Sequence, residues 1–198
     1  MPDDKQKQPR IAGCSFSLYP MSDQYADLIV SALKKVDTDK VWIKTDRVST
    51  IVRGRISHIF DVTQAAFLDI AKTGAHVVYS ATFSVGCPGD TEGHAYMDVD
   101  DNVMNRKLID PVNQDISAKF ALYPMGGGNY MDLIYERIEA MKSHEVDVEL
   151  THYETMLDGP AQNIFNGLQE VLQAMEDAGS THTVMTATLS ANSPTPRS

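Results

Sequence analysis

The sequence predicts an α+β fold built from two copies of one β-α-β-β-α-β unit, each an antiparallel sheet with both helices on one face. Three observations predict it. The stretch "FSLYPM" at residues 16–21 returns as "FALYPM" at residues 120–125, changed only at its second position. The matches then continue in order along the chain. "YADLI" from Tyr25 answers "YMDLI" from Tyr130, "STIVRG" ending at Gly54 answers "ETMLDG" ending at Gly159, and "HVVYSATFSVGCP" from His76 answers "HTVMTATLSANSP" from His182. Finally, the apolar period switches between that of a strand and that of a helix in the same order in both copies.

Each element has its own justification. Residues 10–18 alternate as a strand does, and Tyr-Pro-Met turns the chain. Tyr25, Leu28, Ile29, Ala32, Leu33 and Val36 have the spacing of a buried helical stripe, with Ser22 as its expected N-cap. Val41, Ile43 and Thr45 alternate with Trp42, Lys44 and Asp46 as a second strand. A third covers residues 49–53 and closes at Gly54. Ile59, Phe60, Phe67 and Ile70 give a second helical stripe, and residues 76–85 a fourth strand. The second copy repeats this order, with Tyr130, Leu133, Ile134, Ile138 and Met141 on its first helix. Ile164, Phe165, Leu168, Leu172 and Met175 lie on its second. Such a unit is ferredoxin-like. The expected organisation is a first repeat at 10–88, a linker at 89–116 rich in Asp and Asn with a short helix near 103–108, and a second repeat at 117–194.

Composition narrows the partners. The 198 residues carry a net charge of −10, which repels phosphate backbones and excludes nucleic acid as a natural partner. The polar start "MPDDKQKQPR" lacks the apolar run of a signal peptide, and no stretch approaches the roughly 18 apolar residues of a membrane helix. Cys14 and Cys87 form no close-spaced metal pair. A cytoplasmic protein without membrane insertion is expected.

In this topology one face of each sheet stays uncovered. Val77, Tyr79, Ala81 and Phe83 should face the helices. His76, Val78, Ser80, Thr82 and Ser84 should face outward, matched by His182, Val184, Thr186, Thr188 and Ser190. A polar row is common on an exposed sheet face, so it does not mark a site by itself. Tyr19 and Tyr123 can pack over the first turn, and Trp42 suits an interface anchor. His76 and His182 suit capping or interface roles better than chemistry. For catalysis, Cys87 in "GCPGD" stands out, but no His with an orienting carboxylate accompanies it by a recognisable spacing. The glycines at 126–128 read as a flexible turn at a helix entrance. A duplicated unit without a catalytic set points to binding.

Several segments together resemble one family. "RIAGCSFSLYPMSD", "SALKKVDTDKVWIKTDRVSTIVRG", "FSVGCPGDTEG", "KFALYPM" and "LSANSP" are similar to the YkoF family of thiamin- and hydroxymethylpyrimidine-binding proteins. The resemblance implies two ACT-like repeats in one chain, a homodimer, one thiamin site per repeat and no turnover. It also implies a role in salvaging the pyrimidine half of thiamin, with a link to a pyrimidine uptake transporter, and thiamin as ligand rather than any cofactor. Such a ligand needs a flat apolar wall, a few fixed polar partners and negative charge near the thiazolium. On the uncovered face of the first repeat the candidates are Ser17, Ser49, Thr50, Thr82 and Ser84 for the pyrimidine edge, with Asp46 near the cation. In the second they are Tyr123, Glu154, Thr155, Thr188, Ser190 and Asn192. Ala121 replaces Ser17 and Glu154 replaces Ser49, so the two sites should differ in affinity. The other readings are a salvage enzyme using Cys87 or an acid pair, and a ligand-sensing regulatory module.

Overall fold

The computed structural model describes residues 10–87, 93–126 and 130–196. The first repeat runs β1 (Ala12–Pro20), α1 (Tyr25–Lys35), β2 (Trp42–Thr45), β3 (Thr50–Gly54), α2 (Ile56–Ala71) and β4 (Val77–Val85). A connecting segment carries the one-turn helix α3 (Arg106–Ile109). The second repeat then runs β5 (Asp115–Met125), α4 (Met131–Lys142), β6 (Asp147–Leu150), β7 (Thr155–Pro160), α5 (Ala161–Asp177) and β8 (His182–Ala191). Thus β5 opens two residues inside the expected linker.

The two repeats share one eight-stranded sheet in the order β2-β3-β1-β4-β8-β5-β7-β6. Each repeat alone would leave its last strand as an edge, with a row of unpaired backbone groups. Here the two edges pair with each other, antiparallel, with Ala81 opposite Ala187. Those two are counterparts in the duplication, so a pseudo-two-fold axis passes between them.

Strand parity holds as expected. Ala12, Cys14, Phe16 and Leu18 of β1 and Val77, Tyr79, Ala81 and Phe83 of β4 are buried beneath the helices. Phe60 stacks on Phe83 at 4.4 Å between ring centroids. Phe67, Tyr79 and Phe165 meet at 5.8–6.0 Å, which joins the cores of the two repeats. Each such ring contributes about 1.5–3 kcal/mol by leaving water. Because α5 packs beside α2 across the seam and α3 covers it, every α2 residue but Ser57 is buried.

The first helix differs from expectation. α1 begins at Tyr25, which is 59% exposed, so the buried stripe starts later. Ser22 does not cap it; its hydroxyl accepts the Gln24 N–H (3.1 Å) in the preceding turn. Within α1 only Ala32 is fully buried. What fixes α1 is a charged tie, in which buried Asp69 of α2 accepts from Lys35 at 2.9 Å and pairs with Lys72 at 2.5 Å. Burial works to raise the Asp69 pKa, but the two ammonium groups outweigh it and hold the carboxyl below its usual range. The connecting segment is strapped down in the same way. Arg55 pairs with Asp101, Lys40 pairs with Asp100, and Asp61 accepts from the N–H groups of Met104 and Asn105 and the Asn105 amide.

Candidate functional site

The same cavity occurs twice, once in each repeat, on the helix side of the sheet near its outer edges. The first lies between α1, the end of β1 and the β2–β3 hairpin, and encloses about 230 Å³. It exists because α1 covers its half of the sheet only in part. Ile29 and Leu33 form one wall, while Phe16, Leu18, Thr45 and Thr50 line the sheet side. The Thr45 and Thr50 hydroxyls lie 2.9 Å apart. The hairpin turn curls over the mouth. Asp46 Oδ1 accepts the backbone N–H groups of Val48 (2.7 Å) and Ser49 (2.9 Å), and the Asp46 N–H donates to the Ser49 carbonyl (3.0 Å). Ser17 fastens this turn by donating its hydroxyl to the Val48 carbonyl (2.9 Å). The N–H groups of Ser49 and Val48 hold the Asp46 carboxyl below its usual pKa, so a negative charge stands at the rim at neutral pH.

The second cavity uses the matched positions between α4, β5 and the β6–β7 hairpin, and is larger, about 410 Å³. Ile134 and Ile138 stand for Ile29 and Leu33, and Leu150 for Thr45. Thr151 replaces Asp46 and closes the turn from its own hydroxyl, which donates to the Glu154 carbonyl (2.8 Å). The acidic group moves to Glu154, the counterpart of Ser49. Tyr123, Tyr135 and Tyr153 surround the mouth, all with exposed rings. Both cavities therefore combine an apolar wall, hydroxyls and one carboxylate, with more aromatic surface in the second.

The candidate residues divide between two faces. Ser17, Asp46, Ser49 and Thr50 come together around the first cavity, and Tyr123, Glu154 and Thr155 around the second. Ser49 precedes β3 and Thr50 opens it, and the two side chains point to opposite sides. Ser49 Oγ accepts from Ser15 on the uncovered face (3.0 Å), whereas Thr50 is buried beneath the helices. Thr82 and Ser84 lie on the uncovered face and are not brought to the first cavity. Ser84 instead lies 2.9 Å from His182 Nε2, and Ser190 lies 3.0 Å from His76 Nε2. Thr188, Ser190 and Glu154 border a separate depression of about 320 Å³ on that face, with Lys119 and Met156. Asn192, at φ +56°, ties the repeats together by donating its amide to the carbonyls of Ala71 (2.7 Å) and Ala75 (3.0 Å). The recurring cavity sits beside the first helix of each repeat on the helix side of the sheet, whereas the depression bordered by Thr188 and Ser190 lies on the uncovered face. The helix walls of the recurring cavity were missed because a half-buried stripe residue reads like any core residue. Trp42 lies on the uncovered face with the Arg53 guanidinium 5.1 Å from its ring centroid.

Neither cysteine gains a catalytic setting among the described residues. Cys14 is buried, 3.7 Å from the Tyr79 hydroxyl, and burial pushes its thiol far above the usual range. Cys87 is exposed where β4 ends, and the rest of "GCPGD" from residue 88 lies outside the described residues, as do Gly127 and Gly128 of the glycine turn. No group of three metal-ligating side chains and no helix long and apolar enough to cross a membrane is found among the described residues.

The model of a family described as the YKOF-related family matches the chain twice, over residues 11–90 and 115–196. A Bacillus subtilis (strain 168) protein named "Putative HMP/thiamine-binding protein YkoF" is 45% identical over 185 residues, which cover 93% of this chain and 92% of that protein. Among solved structures, a domain of unknown function DUF77 from Bacillus cereus aligns with a TM-score of 0.35 at 20% identity, over 39% of this chain and 75% of that one. A hypothetical protein from Methanocaldococcus jannascii aligns with a TM-score of 0.33 at 18% identity, over 43% and 86%.

Proposed function

This chain belongs to the YKOF-related family, and we propose that it binds thiamine or the hydroxymethylpyrimidine half of thiamine without turnover, one molecule in each edge cavity. The observation that carries the reading is the doubling itself: two cavities at matched positions, each with an apolar wall, hydroxyls and one acidic group. The relative's name supplies the ligand class. An aminopyrimidine ring would lie against Ile29 and Leu33 or Ile134 and Ile138, with Thr50 or Thr155 within reach of its polar edge. The thiazolium cation would then face outward towards Asp46 in the first cavity and Glu154 in the second, where tyrosine faces add cation–π attraction. A binder of this kind, acting as a homodimer in the cytoplasm, would hold the imported pyrimidine or vitamin behind an uptake transporter until a salvage enzyme takes it.

The test is calorimetric titration of the purified chain with thiamine and, separately, with hydroxymethylpyrimidine. Saturable binding approaching two sites per chain is expected. Absence of heat with both ligands would sink the reading, and steady consumption of either would make the protein an enzyme.

A further inference from the structure

A third cavity lies on the seam, away from both edge cavities, and its lining follows the pseudo-two-fold axis. Ser57 and Gln162, Asp61 and Asn166, and Gln64 and Gln169 are counterparts in the duplication. All six border one space of about 260 Å³ between α2 and α5. The connecting segment roofs it, with Arg106 and Asp110 one turn apart at the rim. Two of these side chains have structural work. Asp61 accepts from Asn105, and Gln162 donates to the carbonyl of Ile109 (3.0 Å), which holds the roof to both helices.

Others have none. The Ser57 hydroxyl is shielded from solvent and has no hydrogen-bond partner among the described residues. The Gln64 side chain, on a residue only 7% exposed, makes no hydrogen bond among them either. Ser57 Oγ therefore lies behind the cavity wall, whereas the Gln64 amide reaches the space with its hydrogen-bonding capacity unused and is open to an occupant that can bond to it. Arg106 and Asp110 form no ion pair with each other or with any other described residue. A simple anion would meet Asp61 and Asp110 here, and a simple cation would meet Arg106. A molecule carrying both charges answers both.

We propose that this seam cavity is a ligand site for a small zwitterion of the free amino-acid type. Its carboxylate pairs with the Arg106 guanidinium, its ammonium with Asp110, and its polar remainder with Gln64 of α2 and its counterpart Gln169 of α5. Because the occupant touches α2, α5 and the connecting segment together, it also clamps the two repeats.

The thermal midpoint of the full chain is measured with each common amino acid at about 10 mM, a concentration that reveals millimolar complexes. Those that raise it are titrated by calorimetry. At least one is expected to bind once per chain, with affinity unchanged by saturating thiamine. Arg106→Ala should weaken it roughly tenfold or more, the loss of one charge-assisted hydrogen bond, and Gln64→Leu should weaken it too. Urea denaturation of both variants checks that they fold. The proposal is overturned if no amino acid raises the midpoint, if thiamine displaces the one that does, or if both variants bind it as the parent does. Thiamine and amino acid are read separately, so failure of the edge-cavity reading leaves this result standing, and the reverse.

Discussion

The imidazole of His182 crosses the seam between the repeats and lies 2.9 Å from the hydroxyl of Ser84. The pseudo-two-fold axis repeats the contact, with His76 at 3.0 Å from Ser190. Each pair joins the start of one central strand to the end of the other. Two hydroxyls that the sequence offers for ligand are thus engaged in holding β4 to β8.

Ser84→Ala and Ser190→Ala should therefore behave as seam variants. Each is expected to lower stability by about 1 kcal/mol, the usual net worth of one hydrogen bond, and to leave thiamine affinity unchanged. Urea denaturation and calorimetry of the same samples check both halves. A loss of affinity without a loss of stability would return these hydroxyls to the ligand site.

Filling either edge cavity should remove one site and spare the other. Leu33 and Leu122 are only partly buried and border the first and second cavity respectively, so a larger side chain projects into open space. Leu33→Trp and Leu122→Trp are each expected to halve the thiamine stoichiometry while the remaining site keeps its affinity. Loss of both sites in either variant would mean the cavities are not independent.

The second cavity should distinguish charge from shape. Glu154→Gln keeps the size of the side chain and removes its charge. Thiamine binding at that site is expected to weaken by about 1 kcal/mol, or roughly fivefold, whereas neutral hydroxymethylpyrimidine should be little affected. Equal losses for the two ligands would place the thiazolium elsewhere.

The limits of the sequence show in these residues. The repeat was plain because both copies spell the same strand and turn at Phe16 and Phe120, and period-two alternation assigned the faces of β1 and β4 correctly. Nothing in the spelling of β4 and β8 says that they pair with each other, since pairing of edges is a tertiary event. The cavity was half legible. Strand parity singles out Ser17, Asp46 and Ser49, which border the first cavity, but Leu33 and Ile138 have the spacing of ordinary core. Only the fit of α1 against its sheet reveals the gap beside it. The near-total burial of α2 was equally hidden, because it depends on α5, a hundred residues away in sequence.

His58 should make stability depend on pH. Its residue is fully buried in the first turns of α2, and neither ring nitrogen has a hydrogen-bond partner among the described residues. Burial, with the positive charges of Lys40 and Arg55 against the opposing Asp101 and Asp61, holds its pKa below the usual histidine value. The unfolded chain then binds the proton more readily. The stability contributed by neutral His58 is fully present above about pH 6.5 and is lost as pH falls towards its depressed folded value. Urea midpoints measured on both sides of that window should fall on acidification in the parent and fall less in His58→Leu. Parallel curves would show that His58 does not titrate on unfolding.

Two glycines matched by the duplication should respond differently to the same change. Gly54 ends β3 and Gly159 lies near the end of β7, each before the long helix of its repeat. A Cβ on Gly54 would meet Val41 Cγ1 at 3.4 Å and the Lys40 carbonyl at 3.5 Å, which is ordinary contact. A Cβ on Gly159 would lie 2.6 Å from the Glu145 carbonyl oxygen and 3.2 Å from Val146 Cα, and the residue sits at φ +157°. Both obstacles are backbone, so no side chain can rotate out of the way. Gly159→Ala must push the segment before β6 off the sheet or distort β7, at a cost of about 1–3 kcal/mol or more. Gly54→Ala has no such conflict and should change stability by less than about 1 kcal/mol. Chemical denaturation of the two single variants reads the contrast directly. Because β6 and β7 form the hairpin over the second cavity, Gly159→Ala should also weaken thiamine binding there and leave the first site as it was. Equal stability losses in the two variants would mean that the close approach of Glu145 to Gly159 does not exist in solution.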